Sequence, residues 1–257
     1  TLNVDMIFNL PGQTLEMLDR DLDWLLELDV DQVSFYPLMT APTARHKMRK
    51  SMGEADESLR YPMYARVLDR MMPRYRASSA WCFTRGEGMY DEYIIDEDDY
   101  VGVGSGAFSY VGDSMYSTTF SLNHYCRRVE GGQSGITQRR TLGLKERMRY
   151  DYLVRLFGGA LKREYIAGRY GAAFWLRMAP ELVAMRLVGA TRHESDALRL
   201  TRRGMYCWVL MMAEFFNSVN DVREQMREHI RAELDAWNEE ANVPLSSIGG
   251  LKRGGQS

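Results

Sequence analysis

Asp5 is the residue of this chain whose neighbours most call for a partner. It stands within Leu2-Asn3-Val4-Asp5-Met6-Ile7-Phe8, and an ionised carboxylate among apolar side chains is costly unless it is hydrogen-bonded or paired. A ligand hydroxyl would satisfy it, and so would backbone donors at the end of a strand. A second group is basic: Arg139, Arg140, Lys145, Arg147 and Arg149 could meet carboxylates, although a solvated helix face is the commoner fate of such a run. Between Tyr100 and Ser109, Gly102, Gly104 and Gly106 alternate, which predicts backbone packed close to something. With no following helix and acidic partner, this is not a dinucleotide-binding fingerprint. His46 and His124, like His193 and His229, have no second ligand at metal spacing and read as surface or hydrogen-bonded histidines. Cys82, Cys126 and Cys207 are too scattered for a disulfide framework or a self-contained metal site. Spacing alone therefore assigns no metal ligands and no catalytic residue.

The elements that must position these groups begin with a short buried strand over Leu2–Phe8. Asn9-Leu10-Pro11-Gly12-Gln13 supplies a turn, and Thr14 can cap a helix with Leu15, Leu18, Leu22, Leu25 and Leu26 on one face, ending near Asp29. Gln32–Leu38 is a second strand, so the order strand, helix, strand predicts a parallel α/β arrangement. A loop is expected from Thr40 to Lys50, then a helix from Glu54 to about Met72, and a short strand over Ala80–Phe83. A short helix is expected over Leu122–Val129. Gly131-Gly132-Gln133-Ser134-Gly135 is the best candidate boundary, with helices dominating after Leu142. Ala197–Thr201 followed by a helix over Arg202–Phe216 suggests part of a winged helix. A charged helix over Asn220–Glu240 precedes a disordered tail.

The length allows one sizeable core, and a large unit plus a smaller one is expected. A net charge of -2 and a pI near 6.1 supply no electrostatic reason to expect nucleic acid or an anionic membrane as partner. No stretch reaches the roughly 18 apolar residues of a membrane span, and the opening residues are unlike a signal peptide, so a cytoplasmic protein is expected. The 17 methionines fit a Met-rich core.

Asp5-Met6-Ile7-Phe8-Asn9-Leu10-Pro11-Gly12-Gln13-Thr14 resembles the D-L-I-x-G-L-P-x-Q-T signature of the radical S-adenosylmethionine proteins that are similar to oxygen-independent coproporphyrinogen III oxidase. In that family the signature is the fifth barrel strand and the turn after it. Val33–Leu38 then resembles the sixth strand, and Tyr100–Ser109 resembles a Y-x-G-x-G-x-x-A-x-S segment. Weaker likenesses follow at Gly143–Arg149 (L-T-x-x-D-x-x-R) and Leu200–Gly204 (L-T-x-x-G). The resemblance covers most of the chain. It implies late strands of a partial (β/α)6 barrel followed by a mainly helical carboxy-terminal domain: 1–130 as barrel and post-barrel segment, 131–244 as a helical, winged-helix-like domain, 245–257 as tail.

The same resemblance implies that Asp5, Met39 and Phe108 line a pocket for S-adenosylmethionine. The family's CxxxCxxC loop, which holds a [4Fe-4S] cluster, follows the first barrel strand and has no counterpart in this sequence, so the chain alone is expected to be inactive. The intact protein is expected to be a radical oxidoreductase acting on a tetrapyrrole, served by a reductant such as flavodoxin or ferredoxin, with oxidative decarboxylation in haem biosynthesis as the leading chemistry. A methyltransferase, a haem-degrading enzyme and a haem-binding or haem-transfer protein are the alternatives. They stay open because Trp81-Cys82-Phe83-Thr84-Arg85 stands where the oxidase pattern has D-H-F-A-R. Trp81, Phe83 and Tyr93 would offer flat apolar surface to a tetrapyrrole and Arg85 a propionate partner, although Trp81 and Phe83 are better explained as core.

Overall fold

A computed structural model of the chain describes residues 2–40, 42–86 and 97–218. It opens with β1 (Asn3–Phe8), α1 (Leu15–Leu28) and β2 (Gln32–Pro37). The strands pair in parallel from Asn3↔Gln32 to Phe8↔Pro37. Thr14 Oγ1 accepts from Met17 N at 3.3 Å and starts α1; Leu18, Leu22 and Leu25 bury its inner face; Asp29 in left-handed conformation ends it. This is the strand, helix, strand unit that the hydrophobic spacing predicts.

Residues expected as a loop instead form α2 (Pro42–Met52). Nearly every side chain described on it is exposed or half-exposed, so it lacks the apolar stripe by which a helix is recognised in sequence. Arg49 and Lys50 fall in its last turn, where positive charge complements the helix dipole. The next helix, α3 (Glu57–Met71), starts three residues later than its acidic run suggests, because Asp56 is the cap. It buries Met63, Tyr64, Val67, Leu68 and Met71. β3 (Arg76–Ala77) and β4 (Cys82–Thr84) complete a sheet of order β1-β2-β4-β3, with β4 antiparallel to β2.

A second sheet, wholly antiparallel, contains β5 (Phe108–Val111), β6 (Ser114–Thr118) and, after α4 (Leu122–Glu130), β7 (Ile136–Thr141). Two residues, Gly112-Asp113, turn β5 into β6, a hairpin signal that sequence analysis passed over. The boundary expected at Gly131–Gly135 falls inside this sheet. Those residues only connect α4 to β7, which returns to pair with β6.

The remainder is α5 (Leu144–Phe157), β8 (Ala160–Lys162), α6 (Arg163–Tyr170), α7 (Ala173–Arg177), α8 (Ala179–Leu187), β9 (Thr191–His193), β10 (Ala197–Leu200) and α9, a helix over 202–218. The small sheet has the order β8-β10-β9, and α9 follows β10 in the chain. The charged helix and tail expected after residue 219 lie outside the described residues. One buried cluster runs from Phe8 and Leu18 through Trp81 to Leu156, Trp208 and Met212, so this region shares its core with the first sheet.

The L-T-x-x-G element has a physical reason in the fold. Thr201 Oγ1 accepts from Gly204 N at 3.0 Å and donates to the Gly189 carbonyl at 2.7 Å, capping α9. A side chain at Gly204 would overlap the Ala190 carbonyl, to which Thr201 N is bonded at 3.0 Å. Gly204→Ala is therefore expected to destabilise the fold by about 1–3 kcal/mol, as overpacking does, and Thr201→Ala by about 1 kcal/mol, as loss of a cap does. Urea denaturation of each variant measures both.

Candidate functional site

The strand registers sort the first sheet's side chains onto two faces, because residues paired across a ladder point the same way. Val4, Met6 and Phe8, Val33 and Phe35, and Phe83 share one face. It packs on α1 and α3, with the Phe8 and Tyr64 rings stacked at 6.1 Å. The other face carries Asn3, Asp5 and Ile7, then Gln32, Ser34 and Tyr36, then Cys82 and Thr84. On that second face Gln32, Ser34, Cys82 and Thr84 are buried, and Asp5 and Ile7 of β1 are exposed.

Asp5 sits on that polar face opposite Ser34. It is exposed, which removes the burial cost expected for it, and Asn3 Nδ2 donates to its Oδ1 at 3.1 Å. Among the described residues it has no cationic partner, so its carboxylate is open to hydroxyl donors. At the end of β1, Asn9 takes the place of the signature's glycine at φ 63. Asn is among the few residues that tolerate this left-handed conformation. Met39 is half-buried just past β2, at the carboxyl end of the parallel pair. Asp5 is in β1 and Met39 follows β2, five residues beyond Ser34, the partner of Asp5. Phe108 lies on β5 of the second sheet, half-exposed, with Phe120 as its ring neighbour at 6.0 Å.

The Gly-rich segment is occupied by its own hairpin. A side chain at Gly102 would overlap the Phe108 carbonyl, and Gly102 N donates to Ser109 Oγ at 3.1 Å. Gly106 N donates to the Thr119 carbonyl and Ala107 N to Thr118 Oγ1, at 2.8 and 2.9 Å. The predicted close approach is found at Gly102, against the Phe108 carbonyl, and at Gly106, against the Phe120 ring, while Gly104 has open space.

Trp81 and Phe83 are fully buried. Trp81 is packed by Tyr36, Phe157 and Phe216 at ring distances of 5.3, 4.9 and 5.9 Å. Neither ring offers a surface to a tetrapyrrole. Arg85 is bound to Asp29, and Tyr93 lies outside the described residues. The basic run is likewise engaged within the chain: Arg140 with Glu146, Arg147 with Asp113, and Arg149 with Glu181 at 2.8 Å. The Arg149 hydrogen bond holds the Glu181 carboxyl below the usual carboxylate range, and the Gly143 backbone donor does the same for Glu146. Arg139 lies over the Tyr116 ring at 5.5 Å.

A cavity of about 580 Å³ opens where β2 ends. Leu38 and Thr40 form its floor, Arg45 and His46 on α2 one wall, Arg60 on α3 another, and Glu214 on α9 the far side. The carboxyl ends of parallel strands are where α/β folds gather ligands. Sequence analysis missed it because its lining comes from segments up to 179 residues apart in the chain, from Leu38 to Asn217, and because α2 was not expected. The run Arg45-His46-Lys47, eight residues past the end of the second strand, was the available signal.

Cys82 is buried on β4, Cys126 exposed on α4 and Cys207 half-buried on α9, and among the described residues no group of three His, Cys, Asp or Glu side chains could hold a metal. No helix among them is long and apolar enough to cross a membrane.

No family model matches the chain. The solved coproporphyrinogen III oxidase HemN of Escherichia coli, described as a radical SAM enzyme, superposes with a TM-score of 0.65 over 83% of this chain and 55% of that one, at 18% identity. The fold is HemN-like. The heme chaperone HemW of Mycobacterium tuberculosis H37Rv is similar in sequence, 26% identical over 209 residues, 79% of this chain and 52% of the relative. HemW of Bacillus subtilis is 24% identical over 219 residues, 79% of this chain and 55% of the relative; HemW of Lactococcus lactis is 26% identical over 133 residues, 49% and 35%. The chain spans about half the length, or less, of the curated relatives it matches.

Two substitutions separate a site residue from a core residue. Asp5→Asn is expected to leave the urea midpoint without a resolvable change, since the carboxylate is exposed. Trp81→Ala is expected to cost about 3–5 kcal/mol, as truncation of a buried aromatic does; equilibrium unfolding measures the difference.

Proposed function

We propose that the intact protein binds and passes on haem, with the ligand seated at the carboxyl end of the first sheet, and that it does not oxidise coproporphyrinogen III. The observation that carries this reading is Trp81-Cys82. Where the oxidase pattern has an acid and an imidazole, this chain has a buried indole and a buried thiol, so groups suited to proton transfer to a porphyrinogen are replaced by packing. The names of the HemW relatives favour the same reading.

In the intact protein, Asp5 on β1 would accept hydrogen bonds from hydroxyls of S-adenosylmethionine, with Met39, past the end of β2, as a further proposed contact. Asp5 suits this role because a carboxylate with no cationic partner keeps its acceptor sites open. When bound, S-adenosylmethionine supplies the family's radical chemistry. Phe108 remains a proposed contact for it. A radical oxidoreductase acting on a porphyrin-type substrate is the second reading, favoured by the fold likeness to the oxidase.

Two measurements on the full-length protein test this. Haemin titrated into it is expected to give a saturable Soret band. Coproporphyrinogen III, added with S-adenosylmethionine and a reductant after anaerobic cluster reconstitution, is expected to be recovered without loss of its propionates. Vinyl-bearing product would instead establish the oxidase reading. Asp5→Asn is expected to weaken S-adenosylmethionine binding about tenfold, read by calorimetry, the order of one charge-assisted hydrogen bond.

A further inference from the structure

The cavity at the end of β2 holds polar groups that neither the fold nor the proposed function has used, and they are of both signs. On α2, Arg45 has only neutral partners: its Nε and Nη2 donate to the Thr40 hydroxyl and carbonyl at 3.3 and 3.4 Å. On α3, Arg60 pairs with Glu57 through Nη2 at 2.6 Å, while its Nε is buried without an acceptor among the described residues. Arg49, which also lines the cavity, is already matched by Glu54 at 2.8 Å. The α2 and α3 side of the cavity is therefore short of an anion.

Helix α9 has the opposite need. Glu214 is an exposed member of the lining, and its carboxylate makes no ion pair among the described residues. Asn217, less than one turn further along, has its Oδ1 buried without a donor. Two acceptors on α9 thus await donors, and one of them carries a negative charge. Opposite charges that line one cavity without pairing select a ligand that carries both, since complementary charge is what fixes a partner and its orientation. The apolar part of the lining is aliphatic, supplied by Leu38, Met48 and Ala55.

We infer that this cavity is a binding site for a small zwitterion of the α-amino acid class. Arg45 and Arg60 Nε receive its carboxylate, Glu214 and Asn217 Oδ1 its ammonium, and the aliphatic lining its side chain. Arginine is the side chain best shaped for a carboxylate, and hydrogen bonds between charged partners are the strong ones. An ammonium has three donors and no acceptor, which suits the two acceptors of α9. The volume of about 580 Å³ lies within the range of small-molecule sites. Asp5 is not part of this lining, so the site is distinct from the one proposed for S-adenosylmethionine. The inference goes beyond the haem-binding reading and does not depend on it.

Calorimetric titration of the full-length protein tests this with L-leucine and two analogues: leucinol, which keeps the ammonium and lacks the carboxylate, and isocaproate, which keeps the carboxylate and lacks the ammonium. L-Leucine is expected to bind saturably, and each analogue about tenfold more weakly, the order of one charge-assisted hydrogen bond. Arg45→Gln is expected to raise the Kd of L-leucine about tenfold and leave that of leucinol unchanged; Glu214→Gln is expected to do the same to L-leucine and leave isocaproate unchanged. Both side chains are exposed, and the analogue that each variant still binds shows that it is folded. Arg177→Gln, which removes a charge from α7 outside the lining, is expected to leave every titration unchanged. Saturating S-adenosylmethionine is expected not to displace L-leucine. If L-leucine does not bind, if the analogues bind as tightly as it does, or if Arg45→Gln and Glu214→Gln titrate like the unaltered protein, the inference fails. If S-adenosylmethionine displaces L-leucine, the cavity receives the amino-acid end of that molecule and a separate site is refuted.

Discussion

The packing around Trp81 is the contact on which the rest of the structure depends. One indole, fully buried, touches Tyr36 of β2, Phe157 at the end of α5 and Phe216 of α9. The backbone follows the same seam: Ala80 N donates to the Phe157 carbonyl at 2.9 Å, and Phe35 N to the Trp81 carbonyl at 2.7 Å. A large aromatic at this junction makes one hydrophobic core out of a parallel β-α-β unit and a helical region far away in sequence. It also sets α9 opposite the end of β2, which creates the cavity.

A second tie is polar. Asp151, nearly buried, accepts from Tyr165 and Tyr170 hydroxyls at 3.0 and 2.6 Å and from Arg169 Nε at 3.0 Å. Asp98 accepts from Arg155 at 2.5 Å and from the same Tyr165 hydroxyl at 2.9 Å. Burial raises the pKa of both tyrosine hydroxyls, with hydrogen bonding to Asp151 adding to it at Tyr170, so they stay protonated as donors. Such a network holds the segment before the Gly-rich hairpin against α5 and α6. With Arg147 bound to Asp113 and Arg140 to Glu146, it accounts for the basic and acidic residues of this half of the chain as internal fastenings.

The functional consequence is a division of labour across the first sheet. One face is apolar and packs α1 and α3; the other is largely polar and presents Asp5. Past the end of β2, α2 contributes arginines and a histidine to the cavity lining. The Gly-rich segment, which looks like a ligand loop, packs against the Phe108 carbonyl at Gly102 and the Phe120 ring at Gly106.

Local pattern determined a great deal of this protein. The alternation in β1, the Thr14 cap, the leucine spacing of α1 and the turn before it made the β-α-β unit legible, and ordered motifs made the family legible, because such features depend on neighbours a few residues apart. Tertiary structure decided the rest. Asp5 is exposed because its strand shows it on the sheet's polar face, a fact that its apolar sequence neighbours hide. The Gly131–Gly135 run looked like a boundary, yet strand pairing between β6 and β7 reaches across it. α2 carried no apolar stripe to reveal it. The cavity around Arg45, His46, Arg60 and Glu214 exists only because α9 folds back over the end of β2, and no spacing rule connects residues that meet through the packing of a single buried tryptophan.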